Sequence, residues 1–333
     1  MERGETINLD VSVIIPTKNG GELFRKVLIK VLGQKLQSKK YEVIIVDSGS
    51  SDGTIEFIVE MKKQHQNLHL FQIPSFEFGH GKTRNYGASK AQGDYLVFIT
   101  QDALPYDEYW LENLVCVFDL DPEIAGVFGK HLPYDDCDLF EKQNIINHFE
   151  NFGKEVVIYK LDDHERYQRE EGYRHLLCFF SNNSSAMRKA VWEIHPFPEV
   201  DFAEDQIWAK IIIENGYKKA YTPYAIVYHS HRYTFKQQFQ RYYDEYKGLY
   251  GVYNYIPVKS ALLIPGYILK HWLSDLRYLK TCQHLSRRER LYWQYYSLIK
   301  NTVRYLGAYL GVKGHHHELF NRLFSREYRL RAK

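Results

Sequence analysis

Short apolar runs alternate with longer segments of helical periodicity along the first hundred residues. Residues 11–15 (VSVII) are a β-branched run ending at Pro16, which predicts a buried first strand. After the loop 17–21, Leu23, Val27, Leu28, Val31 and Leu32 recur at helical spacing and predict an amphipathic helix. Residues 43–46 predict a second strand, SGSSDGT caps a helix over 54–64, and 68–73 predict a third strand. The run 95–99 is apolar enough for a strand covered on both faces. This β-α-β-α-β order implies parallel strands with right-handed crossovers. Residues 124–128, 177–180 and 221–231 also read as strands, and the charged stretch 162–174 as a mobile surface loop. The expected class is α/β: a Rossmann-like, mostly parallel sheet flanked by helices over 1–234, with a helical appendage over 235–333.

Two of these strands stop at an acid. Open α/β sheets bind ligands in the crevice beyond the carboxyl ends of their strands. Asp102, reached through Thr100 and Gln101, is therefore a candidate ligand for a divalent cation; as an N-cap for a helix over 106–118 it would be equally at home. Asp47 could accept a hydrogen bond from a pyrimidine N3–H or cap the turn that follows it. Neither GxGxxG nor GxxxxGK[ST] occurs where it is needed, so dinucleotide and P-loop readings lose their support.

Four further groups carry chemistry. Arg84 falls in the first turn of a helix, against its dipole, which suggests an anionic or acceptor-rich ligand nearby; a plain surface arginine is the other reading. Residues 181–185 (SNNSS) could orient a sugar or simply turn the chain. Glu204 and Asp205 open a helix; there Asp205 is expected to keep a low pKa, ionised and able to take a proton. His229 and His231 alternate at a strand end, and with Asp102 they would leave coordination positions for diphosphate oxygens.

Composition adds an asymmetry. The chain has 333 residues, room for a large domain plus an appendage, with 28 tyrosines that crowd into its second half. The formal net charge is +3, yet from 271 onward thirteen Lys/Arg face four acids. A basic tail on an acidic body implies an anionic partner. Residues 235–250, which include Arg241, are aromatic and helical. The stretches 258–279, with a break expected at Pro265-Gly266, and 290–310 resemble interfacial helices; packing on the core or on a second copy is the other reading. No nucleic-acid motif accompanies the charge. The four cysteines are scattered without CxxC, as expected of reduced thiols in the cytoplasm. The opening MERGETINLD has no apolar core of a signal peptide, and no run reaches about 18 apolar residues. His315, His316 and His317 are expected at the surface.

In order and spacing, VSVIIPTKNG, VDSGSSDGT, HGKTRNYGA, DYLVFITQDALP, FAEDQIWAKIIIENGY and YHSHRYT resemble family 2 glycosyltransferases of the GT-A fold. Among these they most resemble bacterial rhamnosyltransferases of surface-polysaccharide synthesis, over residues 11–234. The resemblance implies that Thr17, Asp47, Arg84, Gln101, Asp102, Glu204 and Arg241 bind the nucleotide-sugar. Asp102 would be the second acid of a DxD element whose first acid is replaced by Thr100. It further implies Asp205 as catalytic base, and His229 or His231 completing a Mg²⁺ or Mn²⁺ site with Asp102. Arg241, in QRYYDEY, stands where many relatives carry a QxxRW-like arginine on the diphosphate, but without the tryptophan. The implied reaction is inverting transfer, from dTDP-L-rhamnose, to a hydroxyl of a lipid-linked saccharide at the inner face of the membrane. A UDP-hexose donor, a silent nucleotide-sugar-binding subunit and a homo-oligomer are the alternatives it leaves open.

Overall fold

The computed structural model describes residues 9–200 and 202–331. The leaderless reading of the N-terminus falls largely on residues 1–8, outside the described residues, as do Asp201 and 332–333. Nine strands among the described residues form one sheet: β1 (Val11–Thr17), β2 (Tyr41–Asp47), β3 (Leu68–Gln72), β4 (Tyr95–Ile99), β5 (Leu104–Pro105), β6 (Ile124–Leu132), β7 (Val157–Tyr159), β8 (Ser184–Arg188) and β9 (Lys218–Tyr228). Their spatial order is β3-β2-β1-β4-β8-β6-β9-β5, with β7 beside β9. The first four strands and the β6–β9 pair are parallel, whereas β8 runs antiparallel between β4 and β6. The sheet is mixed.

Alternation along each strand explains its burial. Val13, Val43 and Val97 pack on one face of the sheet, and Ile14, Ile44 and Phe98 on the other, all without exposed surface. The helix His80–Lys90 lies on the second face through small residues, Gly81, Thr83, Gly87 and Ala88. A Cβ added at Gly87 would stand 2.5 Å from Ile14 Cγ2, so only glycine lets this helix sit so close.

Register then lines up the chemistry. Thr17 pairs with Asp47 at the ends of β1 and β2, and Ile14 with Phe98 between β1 and β4. Because β8 is antiparallel, its first residue, Ser184, stands opposite Ile99, the last of β4. Leu132 and Tyr228 end β6 and β9 side by side. One edge of the sheet thus gathers residues 17, 47, 100–102, 182–183 and 229.

Several expected elements differ. Residues 177–180 are not a strand: Glu171–Cys178 is a helix, whose apolar Leu177 and Cys178 are its buried face. Within 162–174 a second short helix, His164–Arg169, is capped by Asp163, so this stretch is ordered. Residues 229–231 lie beyond the end of β9. Asp102 is not an N-cap, because β5 intervenes before the helix Trp110–Val115.

The chain divides into two compact units, Met1–Tyr134 with Ile145–Val200 and Glu204–Ser230, and Asp135–Asn144 with Asp201–Ala203 and His231–Lys333. The second holds the helices Phe235–Tyr253, Ile264–Thr281 and Arg287–Lys313. Capping boxes, Thr234 with Gln237 and Ser286 with Glu289, start the first and the third. Pro265 does not break the middle helix but occupies its first turn, where its missing N–H costs nothing. Within this unit, buried Lys300 pairs with Asp138 at 3.0 Å and Glu141 at 3.4 Å. No helix of the described residues is long and apolar enough to cross a membrane.

Gly87→Val should lower unfolding free energy by about 1–3 kcal/mol, because the helix must lift off Ile14 and Val46. Urea unfolding measures this, and a loss below about 0.5 kcal/mol would show that the close approach is not needed.

Candidate active site

At the ends of β1, β2 and β4 the side chains lock one another. The Thr17 hydroxyl donates to Gln101 Oε1 at 2.8 Å, and the Lys18 N–H donates to the same oxygen at 2.9 Å. Gln101 returns a bond to the Lys18 carbonyl at 3.3 Å. Asp47 is fully buried, and its carboxylate accepts from the N–H groups of Gly49 and Ser50, each at 2.9 Å, and from the Ser50 hydroxyl. Gly49, with φ +87°, makes that tight turn possible. Asp47 thus holds the loop, the turn-capping role open to it from its position.

On the second face, Arg84 donates to Glu204 Oε1 at 2.7 Å in an ion pair almost sealed from solvent. Arg84 thus meets an acceptor of the protein itself, Glu204, and its Nε is buried without a partner among the described residues. Burial works against ionisation of Glu204, yet Arg84 holds it below the usual carboxylate range. Next to it, Asp205 accepts from the N–H of Asn182 at 3.1 Å and from that of Gln206 at 2.8 Å. Asp205 does not keep the low pKa expected of a first-turn acid. Burial first, and then the adjacent Glu204 charge, push it up to about 7. The helix dipole is outweighed by that burial and by the neighbouring charge. Ala203, just before them, has φ +62°, a conformation that costs an L-residue on the order of 1–2 kcal/mol and sets the entry angle of the acids.

The third cluster contains Asp102, His229 and His231, each half-buried, whose ligand atoms lie within 4.8 Å of one another. Asp102 Oδ1 is 3.6 Å from His229 Nε2. Thr100 and Asn183 stand behind this pair. The Thr100 hydroxyl donates to Asn183 Oδ1 at 3.4 Å, and the Asn183 amide lies 3.2 Å from His229 Nδ1. As placed, the amide donates to Nδ1, which leaves the proton on Nε2 facing Asp102; for Nε2 to serve as a ligand the Asn183 amide would turn its oxygen to accept from Nδ1–H. Asp102 is steadied by the Tyr134 hydroxyl, which donates to its carbonyl at 3.0 Å. His131 packs against His229 with ring centres 5.7 Å apart; burial, then His229 and His148, hold it well below its ordinary value and so neutral. One carboxylate oxygen and two imidazole nitrogens suit a borderline divalent cation such as Mn²⁺, or Mg²⁺ with phosphate oxygens completing its shell.

Sequence reasoning placed Asp102, His229 and His231 together but left residues 181–185 undecided. The structure makes Asn182 and Asn183 the hinge between the acid pair and the histidine. The signal available was two asparagines within a small polar run, which turns also produce. Arg241 lies in the second unit with its guanidinium 4.7 Å from the Phe202 ring centre.

Comparison with known proteins supports one class. Chains of very different sequence share the architecture: residues 1–349 of Staphylococcus aureus TarS (TM-score 0.54, 16% identity, 92% of this chain and 91% of that one), and the Pyrobaculum calidifontis mannosyltransferase PcManGT (0.57, 18%, 90% and 88%), solved with GDP-Man and Mn²⁺. These are GT-A folds of the kind expected. Residues 12–195 match the family described as "Glycosyl transferase family 2". The O-antigen chain rhamnosyltransferase RfbN of Salmonella typhimurium is 37% identical over 71% of this chain and 71% of its own length; WbaN of Salmonella anatum, an O-antigen chain rhamnosyltransferase too, is 35% identical over 70% of each. The chain belongs to glycosyl transferase family 2 and is a glycosyltransferase.

Arg84→Met should cost about 3–5 kcal/mol, because it strands the buried Glu204 carboxylate. Arg84→Met combined with Glu204→Gln should recover at least half of that, and thermal melts of the set test the coupling. Asn183→Ala should weaken Mn²⁺ binding about 10–100-fold, measured by paramagnetic resonance of free Mn²⁺, with little change in melting. Unchanged Mn²⁺ affinity would remove its orienting role.

Proposed function

We propose that the chain is an inverting rhamnosyltransferase that takes L-rhamnose from dTDP-L-rhamnose and joins it to a hydroxyl of a lipid-linked saccharide. The observation carrying this reading is the likeness to O-antigen chain rhamnosyltransferases, 37% identical over 71% of both chains. In this reading residues 1–234 bind the donor and perform catalysis, and 235–333 face the acceptor lipid at the inner leaflet.

Asp205 is the base. A carboxylate titrating near 7 is half ionised at neutral pH and strong enough to take a proton from a hydroxyl as that oxygen attacks. The acceptor oxygen bonds to the anomeric carbon as the bond to the nucleoside diphosphate breaks on the opposite face, so configuration inverts and the proton ends on Asp205. Glu204, neutralised by Arg84, stays ionised and keeps its neighbour basic. Thr17, Gln101 and the Asp47 turn form the floor under the base and ribose. Asp102, His229 and His231 would hold Mg²⁺ or Mn²⁺, which when bound offsets the negative charge of the leaving diphosphate. Arg241 is the candidate for a further diphosphate contact.

Purified protein should release dTDP from dTDP-L-rhamnose, and EDTA should abolish this until Mn²⁺ or Mg²⁺ is returned. Release from UDP-hexoses instead would keep the family and overturn the donor. Asp205→Asn should lower turnover by about 10²–10⁴-fold with little change in donor affinity. The wild-type rate should rise with pH through about 7, as Asp205 loses its proton. Stability runs the other way: a carboxyl raised on folding favours the folded state at low pH, and that contribution is lost as pH climbs from its ordinary 3.8 towards 7. Asp205→Asn should therefore melt higher than wild type at pH 8 and no higher at pH 4.

A further inference from the structure

The second unit contains a cleft with no role in the chemistry above. Its volume is about 390 Å³, within the size range of small-molecule sites. Ile256, Val258 and Val312 give it an aliphatic surface, and Tyr250 and Tyr309 add rings with polar tips. Lys259, Lys313 and the run His315–His317 supply the rest of the lining, and no carboxylate is present in it.

Val258 is almost wholly buried, packed with Ile264 and Tyr305, so the aliphatic side is part of a built core. Lys259 and Lys313 are exposed and form no ion pair with an acid of the protein among the described residues. His315 is held in place by an edge contact with Tyr250, ring centres 5.3 Å apart, and its Nδ1 lies 3.1 Å from His316 Nε2. Two lysines with no counter-charge in the lining form a local positive field beside an apolar wall. Burial, then His316 and Lys247, hold His315 below its ordinary value, so it adds a hydrogen-bonding ring and not a charge. A ligand with one anionic end and one hydrocarbon end satisfies both halves. A bare anion leaves the aliphatic half wet, and a neutral lipid leaves the cations unpaired.

We propose that this cleft binds a phosphate or diphosphate group carried on a hydrocarbon chain, with Lys259 and Lys313 on the phosphate oxygens and Ile256, Val258 and Val312 against the first carbons of the chain. Lysine serves phosphate as a point charge that needs no fixed geometry, which suits exposed, flexible side chains. The proposal rests on the lipid-linked acceptor reading only for the identity of the hydrocarbon; the phosphate chemistry stands without it. Two sources carry such a group, a prenyl phosphate or a membrane phospholipid.

The test uses the full-length protein, in EDTA so that the Asp102 cluster holds no metal, and titrates farnesyl diphosphate by calorimetry. Wild type should bind it at least tenfold more tightly than inorganic pyrophosphate or farnesol. Lys259→Gln/Lys313→Gln should lose at least tenfold in affinity while keeping its melting temperature and, assayed separately with Mn²⁺ in place of EDTA, its release of dTDP from donor. Charge reversal of the same pair, Lys259→Glu/Lys313→Glu, should abolish binding. Vesicles of phosphatidylcholine with a polyprenyl phosphate should then compete with farnesyl diphosphate, and vesicles with phosphatidylglycerol at equal charge should not; equal competition by both supports the site with a phospholipid headgroup as its ligand. Wild-type binding no tighter than pyrophosphate, or variants within twofold of wild type, overturns the site. Donor release is read separately, so a failed cleft and a failed transferase reading give different results.

Discussion

The buried ion pair between Arg84 and Glu204 is the constraint on which the active-site region depends. It joins the helix His80–Lys90 to the helix Glu204–Glu214, two elements 120 residues apart in sequence. Taking both charges out of water is costly, so the pair persists only where geometry and further hydrogen bonds offset desolvation. Asn182 supplies one such bond to Glu204, at 3.4 Å, and its backbone N–H reaches Asp205. With Arg84 claimed by Glu204, Asp205 keeps a raised proton affinity. An interaction that reads as structural thereby keeps Glu204 charged, and that charge, after burial, helps raise the proton affinity of Asp205.

The sheet edge turns this local arrangement into a site. β8, antiparallel between two otherwise parallel sets, enters the edge from the direction opposite to β4. Its lead-in residues Asn182 and Asn183 consequently meet the acid pair on one side and the Thr100–His229 group on the other. Thr100, where the resemblance implies the first acid of a DxD element, brings no charge to the Asp102, His229 and His231 group, and its hydroxyl bonds Asn183 instead. One carboxylate with two imidazoles would bind a divalent ion less electrostatically than two carboxylates, which would make the orientation of His229 weigh more.

Much of this was legible beforehand. The first three strands, β4 and the helices after them follow from β-branched runs and helical spacing; β1, β2 and β4 are buried on both faces and read as nearly continuous apolar runs, while β3, at the sheet edge, is only partly buried. Strand β8, SSAMR, was not legible: its two serines look like a turn, yet Ser184 is buried as acceptor for Trp110 Nε1 and Ser185 donates to Asn182. The helix Glu171–Cys178 was misread because its buried face is contiguous in sequence at its end. The short β5 and β7 pair only with β9, through contacts no local pattern encodes.

By itself the sequence determined which residue types stand at the ends of which strands: Asp47, Asp102 and His229 follow apolar runs, and strand polarity then commits them to one edge. It also determined the family, since six motifs in order leave few alternatives. Only the tertiary structure decided how those residues divide their work. Proton affinity depends on burial and on neighbours distant in the chain. Arg84 therefore met a carboxylate of the protein, Asp205 was raised instead of lowered, and the orientation of His229 fell to Asn183.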